Sequence, residues 1–238
     1  MKLDILAIGA HPDDVELGCG GTIAKEVSQN KKVGIIDLTQ GELGTRGTSE
    51  IRASEAHEAS KILGVSCREN LNFSDGFFIN DKIHQLKLIT LIRKYKPEIV
   101  LCNAIKDRHP DHSKASKLVK DSCFLSGLIK IETIYNGQKQ DPWRPKQLYH
   151  YIQWENLTPD IVVDITGYID TKVESVAAYK SQFYNPNTKA PETPISTKNF
   201  TDSVIYRARD LGRLVGVDYA EGFTVDRHIM TDSLFDLK

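Results

Sequence analysis

LDILAIGAHPDD (residues 3–14) joins a short apolar run to one histidine and two aspartates. Residues 3–9 read as a strand, because the run is brief, rich in Ile and Leu, and interrupted only by Asp4. The polar turn after it leads into a helix whose buried face is marked by Ile23, Ala24 and Val27. The pattern then repeats. Strands are expected at residues 33–38, 69–73 and 98–103. Helices are expected around Ala56, Ala59, Ile62 and Leu63, then Ile83, Leu86, Ile89 and Ile92, then Ala115, Leu118, Val119 and Cys123. Strands alternating with helices of this length predict an α/β fold, a mostly parallel sheet flanked by helices, with right-handed crossovers.

A second cluster, RHPDH (residues 108–112), follows the fourth expected strand and precedes the fourth helix. In an open parallel sheet, functional loops lie beyond the carboxyl ends of the strands, where strand order reverses. The first and fourth strands commonly flank that point, so the two clusters should face each other across one crevice. Two histidines and a carboxylate with an open fourth position are the donor set of a catalytic zinc site. His11 and Asp14 can supply two donors from one turn, and His112 the third from the opposite loop. Fe2+, Mn2+ or Co2+ accept the same donors. Asp13 adjoins a ligand but should point elsewhere, free to accept a proton. His109 can stabilise a developing oxyanion or act as general acid. An amide nitrogen leaves poorly unless protonated, so amide hydrolysis needs both. Asp111 can orient one of the histidines from behind. A single HPDD also fits a strand-end turn that caps the next helix. Its recurrence at two equivalent strand ends favours the site.

The 238 residues are read as one domain. Residues 1–125 form the α/β core carrying both clusters. Residues 126–238 form a smaller C-terminal lobe that completes the pocket and supplies oligomer contacts. In that lobe, residues 138–146 read as a loop, and residues 148–153 and 161–164 as strands. Ile169, Val173, Val176 and Ala177 mark a helix, residues 185–197 a long proline-bearing loop, and Val204, Ile205, Ala208, Leu211 and Val215 a last helix. The formal net charge is −1, with no basic surplus to attract nucleic acid. No stretch reads as a membrane span or secretory leader. Cys19, Cys67, Cys102 and Cys123 form no CxxC pair and read as small buried hydrophobes in a reducing compartment. A cytoplasmic protein is expected.

Gly18, Gly20 and Gly21 do not read as a dinucleotide fingerprint. HPDD occupies the turn that would bind phosphate, and its carboxylates would repel one. A tight turn and close packing of the first helix are expected of these glycines instead. The loop GELGTRGT (residues 41–48) follows the second strand and should reach the same crevice, with Thr48 or Ser49 capping the next helix. Glu42, Arg46, Arg52 and Arg108 are candidate substrate contacts, since a guanidinium fork suits a carboxylate. His57, His84, His150 and His228 lack partner spacing and read as surface or packed residues.

AHPDDVELGCGG (residues 10–21) followed by RHPDH resembles the PIG-L / LmbE-like N-acetylglucosaminyl deacetylases. The resemblance continues through TQGELGTRGT (39–48), the helix bearing Arg52, YKSQF (179–183) and YAEGF (219–223), nearly the whole chain. It is closest to the bacillithiol-biosynthesis deacetylases, which act on N-acetylglucosaminyl malate. The resemblance implies a Rossmann-like core without a dinucleotide, and one Zn2+ held by His11, Asp14 and His112. It implies Asp13 as general base and His109 as electrostatic or acid partner. It implies a small-molecule sugar substrate, no nucleic-acid or membrane partner, and a homo-oligomer, with hexamers among the family's states. The implied reaction converts N-acetylglucosaminyl L-malate to glucosaminyl malate and acetate. Alternatives are another N-acetylglucosaminide or mycothiol-type conjugate as substrate, or a non-enzymatic metal-binding Rossmann-like module. Against the module stand Asp13 and His109, which metal storage does not need. No HExxH helix points to a zinc peptidase.

Overall fold

Strand β1 (Ile5–Gly9) is buried along its whole length. Alternate side chains of a strand part to opposite faces. Leu6 and Ile8 accordingly enter one core cluster, while Ile5 and Ala7 enter another. A strand covered on both faces reads as a continuous apolar run, and this is why its sequence shows no polar alternation. The computed structural model describes residues 1–236.

After β1 the chain forms α1 (Asp14–Ser28), β2 (Val33–Thr39), α2 (Ser49–Leu63), β3 (Cys67–Phe73), α3 (Lys82–Tyr95), β4 (Ile99–Cys102) and α4 (Pro110–Ser126). It continues through β5 (Ile134–Tyr135), β6 (Gln138–Lys139), β7 (Gln147–Tyr151), β8 (Ile161–Asp164), α5 (Ile169–Ala177), α6 (Lys198–Val215) and β9 (Ala220–Val225). The main sheet has the order β3-β2-β1-β4-β7-β9-β8. Strands from β3 to β7 are parallel, and β9 runs antiparallel to both β7 and β8. The chain moves outward from β1 through β2 to β3, then returns so that β4 lies on the other side of β1. Ile5 thus pairs with Val33 on one side and Ile99 on the other. That reversal opens a crevice at the carboxyl ends of β1 and β4.

Helices cover both faces. Leu88 and Ile92 of α3 and Leu118 and Val119 of α4 pack on the side of Leu6 and Ile8. Val15, Cys19 and Ile23 of α1 pack on the side of Ile5 and Ala7, and α1 in turn meets α2 and α5. Arg68 of β3 binds Asp37 of β2 through two hydrogen bonds of 2.7 and 2.8 Å and reaches Glu16 of α1 at 2.6 Å. Lys172 of α5 pairs with Glu221 of β9.

The expected strands and helices occur, with three differences. Strand β9 was not expected, because Glu221 and Gly222 break its apolar pattern; both are buried, Glu221 against Lys172. Residues 138–139, read as loop, pair with β5 in a short hairpin. Gly18 and Gly21 lie within α1, not in a tight turn. Their close-packing role stands: a Cβ at Gly18 would lie 2.2 Å from Cδ2 of Tyr151, whose hydroxyl donates to the Ile8 carbonyl at 2.9 Å. Of the cysteines, Cys19, Cys102 and Cys123 are buried and Cys67 is half-buried at the core's edge; none is disulfide-bonded. No helix among the described residues is long and apolar enough to cross a membrane.

Gly18→Ala should overpack this contact and lower stability by about 1–3 kcal/mol in urea unfolding. Gly20→Ala, whose Cβ meets nothing closer than 3.4 Å, should match or exceed the wild type, since alanine favours helix. Equal stability of the two variants would remove the Tyr151 argument.

Candidate metal centre

The turn after β1 bends sharply at Asp13, whose φ is 112°. A non-glycine residue in this region carries strain of about 1–3 kcal/mol and persists only where its surroundings fix it. Arg52 of α2 does so, donating to the Asp13 carboxylate at 2.8 Å and to the Pro12 carbonyl at 2.5 Å. Gly41 makes room for that guanidinium: its φ is +65°, and a Cβ there would lie 2.2 Å from Arg52 Nη1. The bend sends the neighbouring carboxylates to different partners. Asp13 meets Arg52, while Asp14 turns to the histidines.

Asp14 is the hub. Its Oδ2 accepts from the His11 backbone N–H at 2.9 Å and from Asn103 Nδ2 at 3.0 Å. Its Oδ1 accepts from Gln153 Nε2 at 2.8 Å. His11 Nδ1 lies 3.4 Å from Oδ2, and His112 Nε2 lies 3.1 Å from Oδ1. Each ring is backed by another carboxylate on its far nitrogen. His11 Nε2 lies 3.0 Å from Asp75, and His112 Nδ1 lies 2.9 Å from Asp107. A carboxylate behind an imidazole fixes which nitrogen carries the proton and leaves the other lone pair for a cation.

His109 joins this group. His11, His109 and His112 each offer a nitrogen within 4.8 Å of the others, as do donor atoms of His11, Asp75 and Asp111. The His109 and His112 rings stack with centroids 5.0 Å apart. The Asp111 backbone N–H donates to His109 Nδ1 at 3.3 Å, which leaves Nε2 to carry the ring proton. Asp111 itself lies 3.6 Å from His11 Nε2 and is held by the Gly76 N–H and by Lys114.

The electrostatics suit a cation. Burial opposes charge on His11 and His112. Even so, Asp111, Asp14 and Asp75 raise His11 well above its ordinary range, and Asp14 and Asp107 raise His112 to about 9. Burial would likewise raise Asp14, yet His112 and His11 hold it well below the usual carboxylate range. These rings therefore sit in an excess of negative charge that a divalent ion would balance. Asp13 differs: burial pushes its carboxyl up to about 7 against the pull of Arg52. His109 is lowered by burial and by the neighbouring His11 and His112.

His11, Asp13, Asp14, His109 and His112 all open onto a cavity of about 490 Å³ between the strand ends and α6, as do Arg52 and Arg108, while Asp111 stands behind it. Arg108 lies over the Trp154 ring, 4.2 Å from its centroid. Arg46 and Glu42 are outside the lining. Arg46 is buried against the carbonyls of Gln182 and Phe183, and Glu42 accepts from the Asp75 backbone N–H. Gln182 reaches the cavity; Tyr184 does not. Thr48 caps α2. His150 is packed, bonded to Ser116 and Asp226. Asp75, Asn103, Asp107 and Gln153 escaped the sequence reading. The signal they carried was position alone, each standing just beyond the carboxyl end of β3, β4 or β7.

Fold and site together define an α/β protein with a histidine–carboxylate centre at the switch point of its sheet. The profile of the PIG-L family, GlcNAc-PI de-N-acetylase, matches residues 6–123. A diacetylchitobiose deacetylase of Thermococcus kodakarensis is 30% identical over 190 residues, covering 75% of this chain and 70% of its own. The 4-oxalmesaconate hydratase of Pseudomonas putida is 26% identical over 199 residues, covering 74% and 73%. The crystal structure of a conserved protein from Thermus thermophilus is 36% identical and superposes with a TM-score of 0.86 over 98% of both chains. The chain belongs to the PIG-L family.

Asp75→Asn and Asp107→Asn should each weaken zinc affinity about 10- to 100-fold, as loss of a carboxylate behind a ligand histidine does. Competition with a chromophoric chelator reads this directly. Unchanged affinity in both variants would show that these carboxylates do not support the site.

Proposed function

We propose that this chain is a zinc-dependent hydrolase that removes the acetyl group from an N-acetylated amino sugar. More narrowly, we propose that it converts N-acetylglucosaminyl L-malate to glucosaminyl malate and acetate in bacillithiol biosynthesis. One observation carries the reading: Asp13 and His109, two acid/base groups beyond the proposed ligand set, line the same cavity as the metal cluster. Metal binding alone would need neither.

His11, Asp14 and His112 would hold the ion. Bound there, zinc supplies Lewis acidity, polarising an amide carbonyl and making water a nucleophile near neutral pH. Asp13, its carboxylate held by Arg52, accepts the proton that the attacking water gives up. That proton must then reach the amide nitrogen, because an unprotonated amine is a poor leaving group. His109, with its proton on Nε2, donates to the carbonyl oxygen as negative charge gathers on it. Asn103 and Gln153 keep Asp14 fixed through its two oxygens, so the site needs little rearrangement during the reaction. The malyl reading is supported by arginines at the cavity, whose forks match carboxylates.

A hydratase among the relatives means that family membership alone does not choose between amide cleavage and water addition. The products do: only deacetylation releases a primary amine and acetate. Amine release from N-acetylglucosaminyl malate should require zinc and stop on chelation. Asp13→Ala should lower kcat by about 100- to 10,000-fold, the range for loss of a positioned acid/base group. Full amine release by the metal-free protein, or by Asp13→Ala, would overturn the proposal.

A further inference from the structure

The cavity extends beyond what the metal centre itself needs. One end opens to solvent beside Leu43, Thr45, Arg108 and Trp154, all of them exposed. The other end continues past the metal cluster into the interior. Leu17 and Gly18 line this inner arm about one helical turn beyond Asp14 on α1. Its far wall is formed by Lys172 of α5 and by Ala220, Glu221 and Gly222 of β9, all buried. Val204, Ala208 and Leu211 of α6 roof it, a spacing that keeps them on one face of the helix. From Val204 to Leu211 that roof rises about 10 Å. Leu17 and Val204 share an apolar cluster with Ile195 and Phe200, which also line the cavity.

The polar groups of the inner arm are already engaged. Glu221 accepts from the Gly21 and Thr22 backbone N–H groups and from Lys172. Lys172 also donates to the Leu17 carbonyl at 2.7 Å. Arg207, on the neighbouring face of α6, feels the charge of Asp107 behind His112, at the metal end. A sugar brings hydroxyls that need partners, and burying one without a partner is costly. Hydrocarbon brings no such demand, and each methylene taken out of water there is a gain. The small residues Gly18, Ala208, Ala220 and Gly222 line the arm and leave it open. An acetyl methyl at the metal centre would leave most of that space unused.

We propose that the inner arm is an acyl pocket, and that the protein hydrolyses amino-sugar amides whose acyl chain is longer than acetyl. A chain of about six to eight carbons matches the roof of roughly 10 Å. The proposal rests on the amide-hydrolase reading for the reaction, with the sugar at the open end and the carbonyl at the metal centre. The bond broken is the same. Water's oxygen joins the acyl carbon, the C–N bond breaks, the amine takes up the proton, and a medium-chain carboxylate is released where acetate would be. The chain is held alike before and during the reaction, so it acts on KM and leaves kcat little changed.

The test uses the zinc-loaded protein with the N-acetyl, N-butyryl, N-hexanoyl and N-octanoyl amides of glucosamine. Amine release gives kcat and KM. Calorimetry compares acetate with octanoate, released acids whose binding needs no turnover. KM should fall about 4-fold for each added methylene until the arm is filled, and octanoate should bind more tightly than acetate. Ala208→Phe and Val204→Phe, each placing a ring in the arm, should lower the octanoyl-to-acetyl ratio of kcat/KM by about 10-fold or more, the loss of two or more buried methylenes. The wild-type series decides even where a variant folds poorly. An octanoyl kcat/KM no higher than the acetyl value, or a ratio unmoved by both variants, would overturn the pocket and leave the deacetylase reading standing. If no amide is cleaved yet octanoate binds and Ala208→Phe weakens it, the hydrolase reading fails and the pocket stands.

Discussion

Buried carboxylates must each find positive charge, and the structure around the carboxyl end of β1 is arranged to supply it. Asp13 is matched by Arg52. Glu16 and Asp37 share Arg68. Glu221 takes Lys172. Removing one partner of such a pair costs about 3–5 kcal/mol, because the other charge is then stranded. Asp14 is different in kind. Its neighbours are two imidazoles, and those imidazoles also face Asp75, Asp107 and Asp111. Carboxylates outnumber firm cations around those two rings, and their donor atoms converge closely enough that a metal ion would complete the balance.

The same pairs join the layers of the fold. Arg68 ties β3 and β2 to α1, so the helix that begins at Asp14 is fixed from the sheet. Arg52 ties α2 to the turn that carries Asp13 and Pro12. Asn103 and Gln153 bring the ends of β4 and β7 onto Asp14 and onto each other. A centre held from several strand ends at once is rigid, and pre-set polar groups of that sort need little reorganisation as charge develops.

Much of this was legible in the sequence. The apolar runs that become β1, β2 and β4 are buried on both faces, so their composition announces them. The two HPD turns could be assigned to one crevice because strand order reverses at a predictable place. The partners behind the histidines were not legible. Asp75 and Asp107 are single acids in loops, and nothing in a one-dimensional pattern says that the ends of β3 and β4 converge on the same pair of rings. Arg46 and Arg52 looked alike in sequence and proved unlike, since Gly41 admits one guanidinium beside Asp13 while the other packs against backbone carbonyls. Strand β9 hid because its buried acid, Glu221, is tolerated through partners distant in sequence, Lys172 among them.

That acid has a second consequence. Helix α1 is kinked at Cys19, whose φ is −147°, and the Gly21 and Thr22 backbone N–H groups donate to the carboxylate of Glu221 at 3.0 and 2.7 Å. Their acceptor lies 200 and 199 residues away along the chain. Contacts of such long range form late, after the entropy of closing the intervening loop has been overcome. In synthesis the histidine–aspartate motif therefore precedes the acceptor of these helix hydrogen bonds by a long stretch of chain. The second half of the helix behind that motif gains these two acceptors only once residue 221 is in place, so strand β9 completes the support of the motif from the far end of the sheet order.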